Sequence, residues 1–243
     1  MDKTNYIIRN IIFVSALLLM SCAEDSFGNE PKPQSPNTVS GTIPALYIET
    51  ENHAPIVSKT EYLNATYWLD PMGAEGIAAL GSKVQPLPMQ IRGRGHSSWK
   101  GAKKPYKIKL DKKTAVMGMP KNKHWALLKP TENTVAGLQL GKLMNMAWTP
   151  GFRPVEVVLN GDYIGLYFLT ETIRIDENRV NIHEQQDQET NPELIKGGWL
   201  VEVDNYHDED QITIPECSKW NLTLRYHSPE DLSSAQLQWL TNE

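Results

Sequence analysis

Apolar and polar positions alternate with a period of two over much of this chain, the pattern of half-buried strands. "ALYIET" (Ala45 to Thr50) and "LNATYWL" (Leu63 to Leu69) carry the aromatic and β-branched content of strands, with a turn at "ENHAPI" between them. "LPMQIRG" points Leu87, Met89 and Ile91 to one side, and "PYKIKL" does the same with Tyr106, Ile108 and Leu110. These two segments read as neighbouring strands joined by a Gly-Ser-Trp turn. "HWALLKP" is another short strand, stopped by Pro130. The clearest local signal is "PVEVVLNGDYIGLYFLTETI", two apolar runs around Asn160-Gly161, the dipeptide that best tolerates the positive φ of a tight hairpin turn. "GGWLVEVD" (Gly197 to Asp204) is a further strand, and "ITIPE" with "LTLRY" makes a last hairpin.

Two segments change to helical spacing. In "TENTVAGLQLGKLMNMAW", Thr131 or Asn133 caps a helix whose apolar stripe is Ala136, Leu140, Leu143, Met144 and Ala147, with Gly137 and Gly141 weakening it. Ser228-Pro229-Glu230-Asp231 reads as the start of a second helix: a capping serine, proline in the first turn, and acids at the positive end of the dipole. Strands, one internal helix, more strands and a final helix predict an α+β fold in which an antiparallel sheet packs on a helix.

The first residues stand apart. Lys3 and Arg9 precede the apolar run Ile11 to Met20, which is too short to span a bilayer comfortably. The run ends in Leu19-Met20-Ser21-Cys22, which resembles a bacterial lipoprotein box. Residues 1–21 therefore read as a lipoprotein signal, with Cys22 as the lipidated residue and membrane anchor. Residues 22–44, rich in Pro, Ser and Asn, read as a flexible tether. Residues 45–243 are long enough for one domain. Cys217 is the other cysteine, so no intrachain disulfide framework is expected of an exported protein, and no zinc-finger spacing is present.

Charge is unevenly distributed. The net charge is −5, yet Arg92 to Lys129 holds 12 Lys or Arg against the single acid Asp111. From Glu171 onward 16 Asp or Glu face 5 Lys or Arg. The first region is built to attract anions. "RGRGHSSWKGAKKPYKIKL" (Arg92 to Leu110) reads either as a phosphate-holding turn and strand or as a solvated basic hairpin. An exported, net acidic chain without a nucleic-acid module is not expected to bind nucleic acid.

"IRGRGHSSWKGAKKPYKIKLD", "HWALLKP", "PVEVVLNGDYIGLYFLTETIRIDENRVNI" and "GGWLVEVDNY", in that order, resemble the CotH family of spore-coat proteins and bacterial surface lipoproteins. The resemblance runs from about Ala45 to the end of the chain. It implies the N-terminal part of an atypical protein-kinase fold, ATP with Mg²⁺ or Mn²⁺ as cofactors, and phosphoryl transfer to protein Ser or Thr. Such transfer needs positioning and charge stabilisation more than covalent help. A glycine-containing turn with Gly93, Gly95, Ser97 and Ser98 suits phosphate oxygens, and Arg92 and Arg94 share a face on which they clamp an anion. Lys107 is the first choice for the phosphate lysine, with Lys109 the alternative. Glu171 stands where the family carries a glutamate and reads equally as the candidate carboxylate partner of that lysine or as a surface acid at a strand end. Glu202 and Asp204 read first as a solvated strand face, and second as candidates for a cation or a ribose hydroxyl. Trp99 and Trp125 read as packing residues, and His96 is placed to touch phosphate. Arg179 and Asn181 match the family without an assigned role.

The chain departs from the family in two places. Ala136-Gly137 replaces an Arg-Asn pair, and the family's catalytic and metal-binding aspartates fall beyond Glu243. No catalytic residue is therefore assigned, and the chain reads as the N-terminal, ATP-binding portion of a lipid-anchored protein at a bacterial outer membrane or cell surface, without transfer activity of its own. The competing readings are a non-catalytic lipoprotein that binds a nucleotide, phosphate or anionic glycan, and a structural or adhesion module.

Overall fold

The computed structural model describes residues 38–203, 212–213, 224–226 and 232–242. The signal segment 1–21, Cys22, the tether up to residue 37, Asp204, Cys217 and Ser228 to Asp231 lie outside the described residues. Seven strands form a closed barrel: β1 (Ala45–Thr50), β2 (Leu63–Asp70), β3 (Leu87–Gly93), β4 (Tyr106–Val116), β5 (Met119–Leu128), β6 (Phe152–Leu159) and β7 (Asp162–Glu171). The order around the barrel is β1-β2-β3-β4-β5-β7-β6, and β1 closes it by pairing in parallel with β6, Ala45 opposite Glu156 and Ile48 opposite Leu159. Three short strands, β8 (Val201–Val203), β9 (Ile212–Thr213) and β10 (Leu224–Tyr226), form a separate antiparallel sheet in the order β8-β10-β9.

The expectation of an antiparallel sheet packed on a helix, as in the N-terminal part of an atypical protein-kinase fold, is therefore overturned by the closed barrel. The sheet is mixed, and its own far side covers its apolar face. The internal helix α2 (Glu132–Leu143) forms where its pattern places it, and the Thr131 hydroxyl accepts from the Thr134 N–H at 3.2 Å as its cap. Its stripe does not reach the core: Ala136 and Ala147 are exposed, as are Leu140 (56%), Leu143 (80%) and Met144 (67%). The only buried residue of the helix is Gly141.

The core is the barrel interior. Alternation holds: Met89 and Ile91, Tyr106, Ile108 and Leu110, Trp125 and Leu127, and Tyr167 and Leu169 all face inward and are buried. Each large side chain so buried contributes about 1.5–3 kcal/mol. β4 and β5 are longer than their alternation suggests and meet at Met117-Gly118, where φ is +52° and +74°. The turn at Asn160-Gly161 is as expected, with φ of +52° and +85°. Asn160 does more than turn the chain. Its Oδ1 accepts from the Thr50 N–H at 2.8 Å, and its Nδ2 donates to the Thr50 hydroxyl at 2.9 Å, fastening the β6–β7 hairpin to the end of β1.

The basic turn after β3 also serves the barrel. Trp99, on the short helix α1 (Ser97–Lys100), fills the space a side chain at Gly93 would take, since a Cβ there would lie 2.6 Å from its ring. Trp99 meets Tyr106 edge-on at 6.2 Å. Lys103 donates to the Ile164 carbonyl at 2.9 Å with its ammonium 4.0 Å from the Tyr167 ring centre, and Tyr167 donates to the Lys104 carbonyl at 3.0 Å.

The last helix, α4 (Ser234–Asn242), follows a short α3 (Pro192–Ile195). Its cap is Ser233, and the helix start expected at Ser228 to Asp231 lies outside the described residues. Ser233 and Gln236 form a reciprocal capping box, the Gln236 N–H on the Ser233 hydroxyl at 3.1 Å and the Ser233 N–H on Gln236 Oε1 at 2.9 Å.

Asn160→Gly keeps the positive φ of the turn but loses both bonds to Thr50. It is expected to destabilise the domain by about 1–3 kcal/mol, seen as a lower melting temperature, whereas Asp162→Ala, exposed in the same turn, leaves it unchanged.

Candidate functional site

The outward face of β3, β4 and β5 collects the cations. Arg92 and Lys107 stand directly opposite each other across β3 and β4, and Lys109 stands opposite Gln90 on one side and His124 on the other. Like charges directly opposed across strands are mutually destabilising. The Tyr62 ring offsets part of this, lying 5.1 Å from the Arg92 guanidinium and 5.8 Å from the Lys109 ammonium. Arg92, Arg94 and Lys107 are half-buried, and Arg94, two residues after Arg92, is bound through its N–H to the Pro105 carbonyl at 3.2 Å.

The structure brings only part of the expected set together. Ser97 and Ser98 are exposed on α1. The Gly93 N–H donates to the Ser58 carbonyl at 2.8 Å, so the expected backbone cradle for phosphate lacks this donor. Gly95 has φ +82°, and a Cβ there would lie 2.2 Å from the Ser98 Oγ, so the turn is tight around that hydroxyl. Lys107 and Glu171 do not pair. Lys107 aligns with Ala126 and Thr170 across β4, β5 and β7, while Glu171 aligns with Trp125 and Ile108 on the opposite, inward face.

Glu171 has a different partner. Its Oε2 accepts from the Gly151 N–H at 2.8 Å, and its Oε1 lies 3.7 Å from Nε of Arg179, with side-chain exposures of 5% and 0% for Glu171 and Arg179. Arg179 donates to the Thr172 carbonyl at 2.8 Å and to its hydroxyl at 2.7 Å, and its guanidinium lies 5.1 Å from the Trp125 ring centre. Burial holds its pKa below the ordinary range, against the pull of Glu171 and Asp176. The turn that delivers it is closed by the Arg179 N–H on the Asp176 carbonyl at 2.9 Å, and Asp176 is held by Lys113 at 2.9 Å. Arg179 was visible in the sequence only as a family match, because its carboxylate partner lies eight positions away on another element.

His124 is the second residue that alternation did not single out. It faces outward beside Lys109, and the Thr172 hydroxyl donates to its carbonyl at 3.3 Å. Its pKa is lowered to about 3, first by burial and then by Arg174, Lys107, Lys109 and Arg179. Of these cations, Lys107 and Lys109 share the outward face with the ring. Trp125 is packed in the core and Trp99 against it, as expected of packing residues. Among the described residues no group of three or more His, Cys, Asp or Glu is arranged to hold a metal ion. The Glu202 side chain lies outside the described residues.

Residues 91–241, more than half of the chain, match the family described as CotH kinase protein. The chain belongs to the CotH family. No curated protein sequence matches it. The match begins inside β3, so β1 and β2 precede it, and it contains the cationic face, the Asn160 turn and the Glu171–Arg179 pair of this CotH domain.

Two outcomes follow from the buried charges. Arg179→Met leaves Glu171 buried without its counter-charge and is expected to cost about 3–5 kcal/mol, and Arg179→Met with Glu171→Leu less than the sum of the two changes; chemical denaturation of the four proteins checks this. The His124 pKa is depressed from 6.5 to about 3, so the unfolded chain binds the extra proton in that window. Its contribution is complete above pH 6.5 and is lost as pH falls towards 3. His124→Gln should lose less melting temperature than wild type over that range.

Proposed function

We propose that this CotH domain binds ATP through its phosphates on the outward face of β3 and β4, as the nucleotide-binding part of a phosphotransferase acting on protein Ser or Thr. The single observation that carries the reading is the opposed pair Arg92 and Lys107, with Lys109 beside it, on one face of a family member described as a kinase. A bidentate guanidinium and a strand-held ammonium are the donors that a triphosphate needs. Arg94 and the hydroxyls of Ser97 and Ser98 extend this face into the turn. The divalent cation arrives on the triphosphate, where Mg²⁺ keeps several of its waters. Glu171 acts from inside the barrel, through Arg179, on the rigidity of the end of β7.

We further propose that Cys22 carries lipid and places the domain at a bacterial outer membrane or cell surface. The charged start, the apolar run and Leu19-Met20-Ser21-Cys22 support this.

Titration of ATP with Mg²⁺ or Mn²⁺ is expected to show saturable binding that Lys107→Ala weakens by about tenfold or more. Unchanged affinity would remove Lys107 from the site, and equal affinity for sulfated glycans would point instead to a general polyanion receptor. Palmitate labelling in the native host is expected for the wild type and absent for Cys22→Ala.

A further inference from the structure

The imidazole at the edge of the cationic face has an asymmetry that the phosphate reading does not use. His124 is half-buried, and its Nδ1 is shut from solvent with no hydrogen-bond partner. A buried N–H without an acceptor is rarer in folded proteins than a buried lone pair without a donor. The neutral ring therefore places its proton on Nε2 and leaves the lone pair on Nδ1. Lys109 stands directly opposite His124 across β4 and β5, Lys107, Arg174 and Arg179 add to the positive field at the ring, and the Thr172 hydroxyl donates to the main-chain carbonyl of His124. None of these named neighbours is a carboxylate that an N–H would otherwise serve.

We infer that His124 is a ligand-binding residue of this face, a neutral imidazole that donates its Nε2–H to an oxygen of a bound phosphate-like or sulfate-like anion. The inference rests on the proposed phosphate site and adds a donor to it on β5. Protonating the ring would put a second N–H at the closed Nδ1, among four cations. The neutral form is thus the only one that donates from the open side without stranding a donor inside. A neutral donor also supplies a hydrogen bond where another cation would only add repulsion. Its consequence is an anion site whose strength does not depend on histidine protonation, because the cations named for it are lysine and arginine.

Sulfate tests this on the full chain, since it stays dianionic and does not itself titrate from about pH 5 to about pH 8. Nitrogen-detected NMR of the wild type is expected to show His124 protonated on Nε2 alone, with that N–H shifting on sulfate addition and the ring staying neutral. Sulfate affinity should be flat over the same pH range. Glutamine places its amide N–H₂ near the histidine Nε2, whereas asparagine reaches only the Nδ1 position. His124→Gln should therefore bind within about threefold of wild type, and His124→Asn about tenfold or more weakly. A proton on Nδ1, proton uptake on binding, or equal affinities for all three proteins would overturn the assignment while leaving the phosphate site intact. Failure of the wild type to bind either sulfate or ATP would overturn both.

Discussion

The parallel pairing of β1 with β6 is the contact on which the rest of this domain depends. Without it, the seven strands are an open sheet with an apolar face and no layer to cover it. The segments that join at the seam lie more than a hundred residues apart, and one side chain, Asn160, fastens them where the β6–β7 turn meets the end of β1. Closure buries Trp125, Tyr167 and Ile91 against one another, and it fixes which side of each strand faces out. The cationic face is a consequence of that choice, because the cations occupy the positions that alternation leaves outside.

Closure also explains the basic turn. A barrel needs its end stopped, and the loop after β3 supplies Trp99 in the space that Gly93 leaves empty. Several of the charges that make this loop look like a phosphate cradle are structural. Lys103 and Lys104 are tied back to the wall and to the loop itself, through Ile164 and Trp99. The cations of the proposed site are those one strand inward, where Arg92 faces Lys107 and Lys109 faces His124. Stability and the proposed binding thus share one sequence segment, with Trp99, Lys103 and Lys104 serving the barrel and Arg92, Arg94 and Lys107 the proposed ligand face.

The two buried charge arrangements differ in kind. Glu171 and Arg179 face each other inside the protein at 3.7 Å without a hydrogen bond, so each offsets only part of the other's burial cost, and removal of either leaves the other without a counter-charge in a low-dielectric surrounding. His124 stands instead beside Lys109 on the outward face, where burial and the neighbouring cations hold its pKa down to about 3. One arrangement is closed from solvent, and the other lies on the outward face. That contrast separates a structural pair from the face proposed to hold an anion.

What the sequence determined by itself was whatever depends on residues a few positions apart. The alternation of β3 and β4, the positive φ at Asn160-Gly161, the Thr131 cap and the concentration of cations from Arg92 to Lys129 are all local, and each is found in the fold. The order of the motifs sufficed to indicate the CotH family. The tertiary structure decided everything that depends on register between distant strands. A step of one residue moves a side chain to the other face of a sheet, which is why Lys107 and Glu171 look compatible along the chain and stand on opposite sides of the barrel. The same long-range closure gave the sheet its own cover and left Leu140, Leu143 and Met144 outside, although their spacing is that of a core-facing helix. It also placed Arg179 beside Glu171 and gathered four cations around His124, arrangements that arise only after the strands have met.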